Sequence, residues 1–431
     1  MILPRYKIAE GIHASSLATD KFKVNAITLS LKAPVTLESI TMLNLLSRVL
    51  SRGCEAYPDI KSIESRLDTL YGADLDMNIS RRGDSQYLCA SVDFLSRKYT
   101  EDCDIIEGAV DILTKVLLCP ALENGGFIQN YVDGEKKNLA DAINGLINNK
   151  ARYAKLRCTE EMCSGEPFAL PPLGDKSLLE AITPVSLYNF YKELIATSKI
   201  EILYTGTERF FSSVCENFSN AFGKVERSYS ESCDAPQKHI HREYKELCED
   251  MEVNQGKLSV GLTTDIVGPS DELPALIVAN EIFGSSPNSK LFMNVREKMS
   301  LCYYCSSSLD ASKGLMFVNA GIENENFERT RDAIFAQLDA LKSGDFTDEE
   351  LDNAIISLTN GYSSIPDSIT ALEAWYIPRI FRGDSETVEE RIAKIKKVTR
   401  EDITAVAAKI NADIVYFLRG SLNGGGDEDD N

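Results

Sequence analysis

Two hydrophobic rhythms alternate along the chain. Ile27, Leu29 and Leu31 occupy alternate positions in residues 24–31, the period-two pattern of a strand. Residues 36–52 then carry an apolar-rich helical pattern that Gly53 ends. In residues 59–71, Ile60, Ile63, Leu67 and Leu70 mark one side of an amphipathic helix, with Gly72 after it. Strands are predicted at 73–80 and 86–94. Helices are predicted at 101–118 and 127–150, and another opens at Ile182-Thr183 and runs to about residue 195, before a strand at 200–205.

The second half repeats this order. A strand at 258–263 precedes a helix at 273–283, which Gly284 stops. Leu291, Phe292 and Val295 recur at helical spacing, and strands follow at 301–308 and 315–321, then a helix at 327–341. Thr347 and Glu350 form a capping box for a helix with Leu351, Ile355 and Leu358 on one stripe. Val398-Thr399 opens a helix as Ile182-Thr183 does, and 414–418 is the closing strand. Equivalent elements are offset by roughly 215 to 235 residues, well beyond the period of about 20 to 50 that marks a solenoid. The pattern therefore predicts one α+β unit used twice, each a mainly antiparallel sheet with helices packed on it. Residues 227–244 are polar, contain Pro236 and lack a helical stripe, so they read as a linker between domains at 1–226 and 245–422. Residues 423–431, Gly-rich and then acidic, read as a disordered tail.

Length supports two cores, since 431 residues exceed one ordinary domain. Charge changes the picture more. With 46 Lys and Arg against 66 Asp and Glu, the net charge of −20 argues against binding nucleic acid or an anionic membrane. No signal peptide and no membrane-spanning run is visible. Eleven scattered cysteines fit reduced thiols and a cytoplasmic location better than a disulfide framework.

Candidate chemistry concentrates in residues 283–308, FGSSPNSKLFMNVREKMSLCYYCSSS. A Gly-Ser-Pro turn leads into a short helix that ends in Arg296-Glu297-Lys298, and Tyr303 follows Arg296 by seven residues. This stretch resembles the second domain of the pitrilysin/insulinase-type metallopeptidases, the inverzincins, which include the bacterial and mitochondrial processing peptidases. The resemblance extends over nearly the whole chain and implies two homologous processing-peptidase-type domains. In that family, zinc is held by H-x-x-E-H on a first-domain helix, with the Glu as general base, and by a downstream Glu. Aligned on Gly53, the two His positions fall on Asn44 and Arg48 and the base on Ser47; the downstream ligand falls at Ala142, seven residues after Glu135. Asn is a weak neutral donor, Ser at its normal pKa takes no proton from water, and Arg stays charged. A unit charge about 4 Å from a dication costs roughly 8 kcal/mol at an effective dielectric near 20. The site is degenerate, so this chain is expected to bind no zinc itself.

Other metal candidates are sparse. The only histidines are His13, His239 and His241, and no H-x-x-x-H occurs. His239 and His241 would share a strand face, with no third ligand evident, and are expected to be solvated. Cys302 and Cys305, three apart on a strand, should point to opposite faces and be core residues.

The resemblance implies a role for Arg296 and Tyr303. In the family, the matching pair holds the substrate carbonyl near the zinc of another unit. The expectation is a non-catalytic subunit, inactive alone, that binds extended peptide and completes the active site of an H-x-x-E-H partner in a heterodimer. Zinc then belongs to the partner. The resemblance also implies an edge strand near 74–80 that pairs with the peptide; an ordinary strand in a closed sheet is the other reading of those residues. Two rival functions remain from the sequence: a stand-alone peptide-binding scaffold, and an active zinc endopeptidase with unorthodox ligands.

Overall fold

A computed structural model describes residues 3–100, 104–231 and 237–420. The first half supplies β1 (Arg5–Ala9), β2 (Ile12–Ala18), β3 (Val24–Ala33), β4 (Asp74–Arg82) and β5 (Ser85–Leu95). The small hairpin β6 (Leu122–Glu123) and β7 (Gly126–Phe127) and then β8 (Ile200–Gly206) complete it. The second half supplies β9 (Lys245–Met251), β10 (Gly256–Thr263), β11 (Cys302–Asp310), β12 (Leu315–Ile322) and β13 (Asn411–Gly420).

The two sheets have one design. The first runs β1-β2-β8-β3-β5-β4 and the second β11-β12-β10-β13-β9. Read inward from their edges, β4-β5-β3-β8-β2 matches β11-β12-β10-β13-β9 strand for strand. Each sheet has one parallel pair, β2 with β8 and β9 with β13, and is otherwise antiparallel. The duplicated α+β architecture predicted from element order is what the chain adopts.

Local signals explain most helix starts. Thr36 and Ser39 form a capping box for Leu37–Leu50, and Asp59 with Ser62 does the same for Ile60–Thr69. Thr183 and Thr399 cap the matching helices Pro184–Thr197 and Arg400–Ala407. The helix expected over 127–150 ends earlier, as Gln129–Gly145, because Asn149 accepts the backbone N–H of Arg152 and starts a new helix, Lys150–Met162.

That new helix changes the domain description. The chain packs as two units, 1–144 with 171–235 and 364–386, and 145–170 with 236–363 and 387–431. The boundaries drawn at 226 and 245 are thus crossed twice, once in each direction. In the second unit, Ala154, Cys158 and Met162 of helix Lys150–Met162 join Leu315, Phe317 and Tyr416 in a separate apolar cluster on the sheet. The approach is close: a Cβ on Gly261 of β10 would stand 2.6 Å from the Met162 sulfur. In the first unit, helix Ile369–Arg382 lies on the sheet through Phe381, whose ring centroid is 4.5 Å from that of Tyr87. Thr28 Oγ1 also donates to Glu373 at 2.9 Å. Helix Lys150–Met162 buries a stripe of mostly small residues, Ala154 and Cys158 before Met162, which the hydrophobic pattern does not announce; helix Ile369–Arg382 buries Ile369, Leu372, Trp375 and Tyr376 at helical spacing, and sequence reading missed it.

Part of the expected linker, 232–236, and the acidic tail at 423–431 lie outside the described residues. Among the described residues, no helix is long and apolar enough to cross a membrane.

Candidate functional site

The helix Leu37–Leu50 carries the degenerate zinc positions on its packed side. Asn44 is 7 % exposed and Ser47 6 %, while Arg48 is half-buried. Asn44 Nδ2 donates to the carbonyls of Ile40 at 2.9 Å and Pro172 at 3.1 Å, and Ser47 Oγ donates to the carbonyl of Asn44 at 3.1 Å. The loop 171–175 is fastened to the same helix, since Asp175 N–H donates to Thr41 Oγ1 at 3.0 Å. Gly174, at φ +84°, sits so close that a Cβ there would meet Thr41 Oγ1 at 2.3 Å.

The downstream helix has lost its ligand too. Ala142 offers no donor. Glu135, buried on the same helix, takes an N–H from Asn138 at 3.0 Å and faces Arg52 at 3.5 Å. A guanidinium rather than a metal ion answers that carboxylate. These residues do not fit zinc: the donor set is an amide, a hydroxyl, a cation and a methyl group, and both buried polar side chains are committed to backbone carbonyls.

Arg296 and Tyr303 are placed differently. Arg296 belongs to the π-helical segment Leu291–Lys298, with its guanidinium 4.5 Å from the Phe292 ring centroid and 3.5 Å from Glu297. The segment closes with a hydrogen bond from Leu301 N–H back six residues to the Val295 carbonyl at 3.2 Å, around Ser300 at φ 52°. A left-handed serine where glycine is the usual choice fixes the turn between Arg296 and the strand at some conformational cost.

Tyr303 stands on a β-bulge. The ladder pairs Cys302 with Ile322 and Tyr304 with Gly321, which leaves Tyr303 as the extra residue. Its ring is 60 % exposed, and its hydroxyl donates to Glu323. That hydrogen bond and the charge of Glu323 push the phenol pKa up, so Tyr303 keeps its proton and stays a donor. The bulge also overturns the expectation for the flanking cysteines. Strict alternation would put Cys302 and Cys305 on opposite faces; the extra residue brings both into one core cluster. The Cys302 thiol and burial push the Cys305 thiol well up. They are core residues, as expected, by a different geometry.

The histidines also depart from expectation. His239 is 1 % exposed, with Nδ1 at 2.6 Å from Glu166 and Nε2 at 2.9 Å from Asp413, while His241 contacts Asp413 from the exposed side. Cys163 and Glu166, on the exchanged segment, approach His239 closely enough to resemble a metal site, with ligand atoms within 4.8 Å of one another. Both ring nitrogens are already taken, and the buried Lys313 ammonium sits 2.8 Å from Glu166. The cluster is an ion network that holds segment 237–242 and the exchanged helix to the second sheet. His13 on β2 lies among Arg5, Lys7 and Lys199, and burial and those cations lower its pKa.

Strand β4 is an edge strand, as one of the two sequence readings required. Asp74 and Asp76 are exposed on it, and Asp93 of β5 lies directly across from Asp74. Burial and Asp74 push the Asp93 carboxyl up, and burial pushes Glu373 up to about 7. Sequence reading missed the buried Glu281, which lines one cavity of the second unit with Glu350, and the pairing of Glu350 with Lys290; the one signal was a glutamate inside the apolar run LPALIVANEIF.

Known proteins share this arrangement. A profile described as "Peptidase M16 inactive domain" matches residues 181–358. The Bacillus subtilis (strain 168) protein named "Probable inactive metalloprotease YmfF" is 31% identical over 418 residues, covering 95% of this chain and 96% of its own. The B. subtilis "Uncharacterized zinc protease YmxG" is 22% identical over 65% of this chain and 66% of its own. The crystal structure of a conserved protein from Enterococcus faecalis V583 superposes with a TM-score of 0.90 at 28% identity, covering 97% of this chain and 99% of that one.

Proposed function

The chain belongs to the M16 family of pitrilysin/insulinase-type metallopeptidases and lacks that family's zinc ligands, and from this premise we propose that it is the non-catalytic subunit of a heterodimeric zinc-dependent peptidase. It binds extended peptide and completes the active site of an H-x-x-E-H partner, which carries the zinc. The observation that carries the reading is the contrast between two places. Asn44 and Ser47 are buried and spent on backbone carbonyls, whereas Tyr303 is exposed on a bulge with its proton retained.

In this role Arg296 supplies fixed N–H donors and Tyr303, once its hydroxyl leaves Glu323, an O–H donor to peptide carbonyl oxygens as negative charge develops on them. The unpaired edge of β4 supplies backbone groups to an extended chain. A peptide laid there aligns alternate side chains with Asp74 and Asp76, which favours lysine and arginine over acidic residues. The nine described cysteines are free thiols, in keeping with a reducing cytoplasm.

The test is reconstitution. The chain is purified with the partner that co-purifies from native cells, and cleavage of unstructured peptides is followed. Replacing Arg296 and Tyr303 by alanine together should cut the rate sharply while the heterodimer persists. An unchanged rate overturns the reading, as does stoichiometric zinc in the isolated chain with chelator-sensitive cleavage.

A further inference from the structure

A cavity of about 70 Å³ opens in the second unit between the π-helical turn Glu281–Ser285 and the helix Asp348–Ser363. Its lining includes Ile282, Ser286, Pro287 and Asn288 from the turn side, and Glu350, Asn353 and Ser357 from the helix. At its base is the carboxylate of Glu281, only 6 % exposed. π-helical turns are uncommon and recur at functional sites, because widening the helix re-aims the side chains that follow.

The charges in this cavity do not balance. Glu350 is answered twice: it takes the Thr347 backbone N–H at 2.7 Å as the capping box predicted from sequence, and the buried Lys290 ammonium stands 3.1 Å away. Glu281 is not. Its Oε1 accepts from Ser357 Oγ at 2.7 Å, and Oε2 has no hydrogen bond to a described residue. One oxygen of a largely buried carboxylate is left facing a polar opening, where a positively charged group would complete it.

We propose that this cavity binds a primary ammonium group, presented by a lysine side chain or by the α-amino end of a peptide. Three N–H donors diverge from an ammonium. Glu281 Oε2, the side-chain oxygens of Asn288 and Asn353 and the hydroxyl of Ser286 are acceptors of the right type around it. Ile282 and Pro287 offer apolar surface for an alkyl stem. A divalent cation suits the site poorly, because one carboxylate is already paired with Lys290, which leaves a single carboxylate for the ion, and the Lys290 ammonium repels a dication twice as strongly as a monocation. The inference goes beyond the proposed function and holds whether or not a protease partner exists.

The test titrates the full chain, followed by calorimetry, with Nα-acetyl-lysine methylamide, glycylglycine amide and Nα-acetyl-norleucine methylamide. One of the two amines should saturate a single site while the norleucine compound, which keeps the alkyl stem and lacks the ammonium, does not, and the amine that binds identifies the source of the ammonium. Glu281→Gln keeps the shape and the Ser357 contact and should weaken binding by about ten-fold or more, the weight of a charge-assisted hydrogen bond. Asn353→Phe narrows the rim from an exposed position, leaves the buried carboxylate untouched and should also weaken binding. Equal binding of norleucine, unchanged affinity in either folded variant, or saturation by K⁺ or Mg²⁺ that excludes both amines overturns the proposal.

Discussion

The helix Leu37–Leu50 in the first half and the strand β11, the counterpart of β4, in the second are the two places where the family resemblance puts chemistry, a metal at one and a substrate contact at the other. They have diverged in opposite ways. At the first, lost ligands have been replaced by residues that turn inward: Asn44 ties the helix to Pro172, and Gly174 lets the loop 171–175 approach Thr41. At the second, a bulge at Tyr303 and a left-handed Ser300 keep a costly geometry that holds a side chain outward. On the proposed reading, side chains with no part in chemistry have joined the packing, while one that meets substrate stays exposed at the expense of local backbone comfort.

This contrast can be broken experimentally. The largest effect should be on the partner's chemistry. Arg296→Ala with Tyr303→Ala should lower its turnover by about 100-fold, or about 3 kcal/mol. Its own unfolding midpoint should stay put, because neither side chain is in the core. A lost midpoint would show that the pair is structural.

The next effect reads pH. Glu373 has its carboxyl pushed up to about 7 by burial, from an ordinary value of 4.5. A raised folded pKa means the native state holds a proton the unfolded chain has given up. Stability is therefore full below the unfolded value and falls as pH rises through the folded one. Glu373→Gln removes that loss, so denaturant titrations should show the variant gaining on the parent between those two values, by about 3 kcal/mol at the plateau. Parallel pH profiles for both proteins would refute it.

Smaller still, Asn44→Ala should cost about 1 kcal/mol of stability, since the Pro172 carbonyl loses its donor and the tie between loop and helix is cut, while the partner's kcat is unchanged. If stability does not move, the first site is merely vacant of function and not rebuilt. Smallest, Asp93→Asn should stabilise by about 0.5 kcal/mol at neutral pH by relieving its repulsion with Asp74 across the strand pair. Destabilisation would mean that Asp93 has a cationic partner in solution.

Much of this was legible in the amino-acid pattern. Alternating apolar positions and capping residues located most strands and many helices, and the repeat of element order anticipated the matching sheets. The mismatch with the family's zinc motif was legible in Asn44, Ser47 and Arg48 alone. What was not legible depended on tertiary placement. Helix Lys150–Met162 packs through Ala154 and Cys158, small residues that leave a faint stripe, so its exchange was invisible. Cys302 and Cys305 were assigned by strict alternation, which one extra residue defeats. His239 looked solvated because Glu166 and Asp413, its neighbours in space, lie 73 and 174 residues away in sequence. Glu281 stood in an apolar run whose π turn no periodicity reveals.

The exchange of helices also has a temporal consequence. The sheet that begins with the first strand of the chain waits for helix Ile369–Arg382, which is synthesised after the whole linker and most of the other half. At about 5–20 residues per second the delay on the ribosome is on the order of ten seconds. Through that interval the surface around Thr28 and Tyr87 is uncovered, and contacts so distant in sequence form slowly once their partner emerges. A fragment cut at the linker would inherit that bare surface permanently, so it is the intact polypeptide, and not either half, that should be the smallest soluble unit.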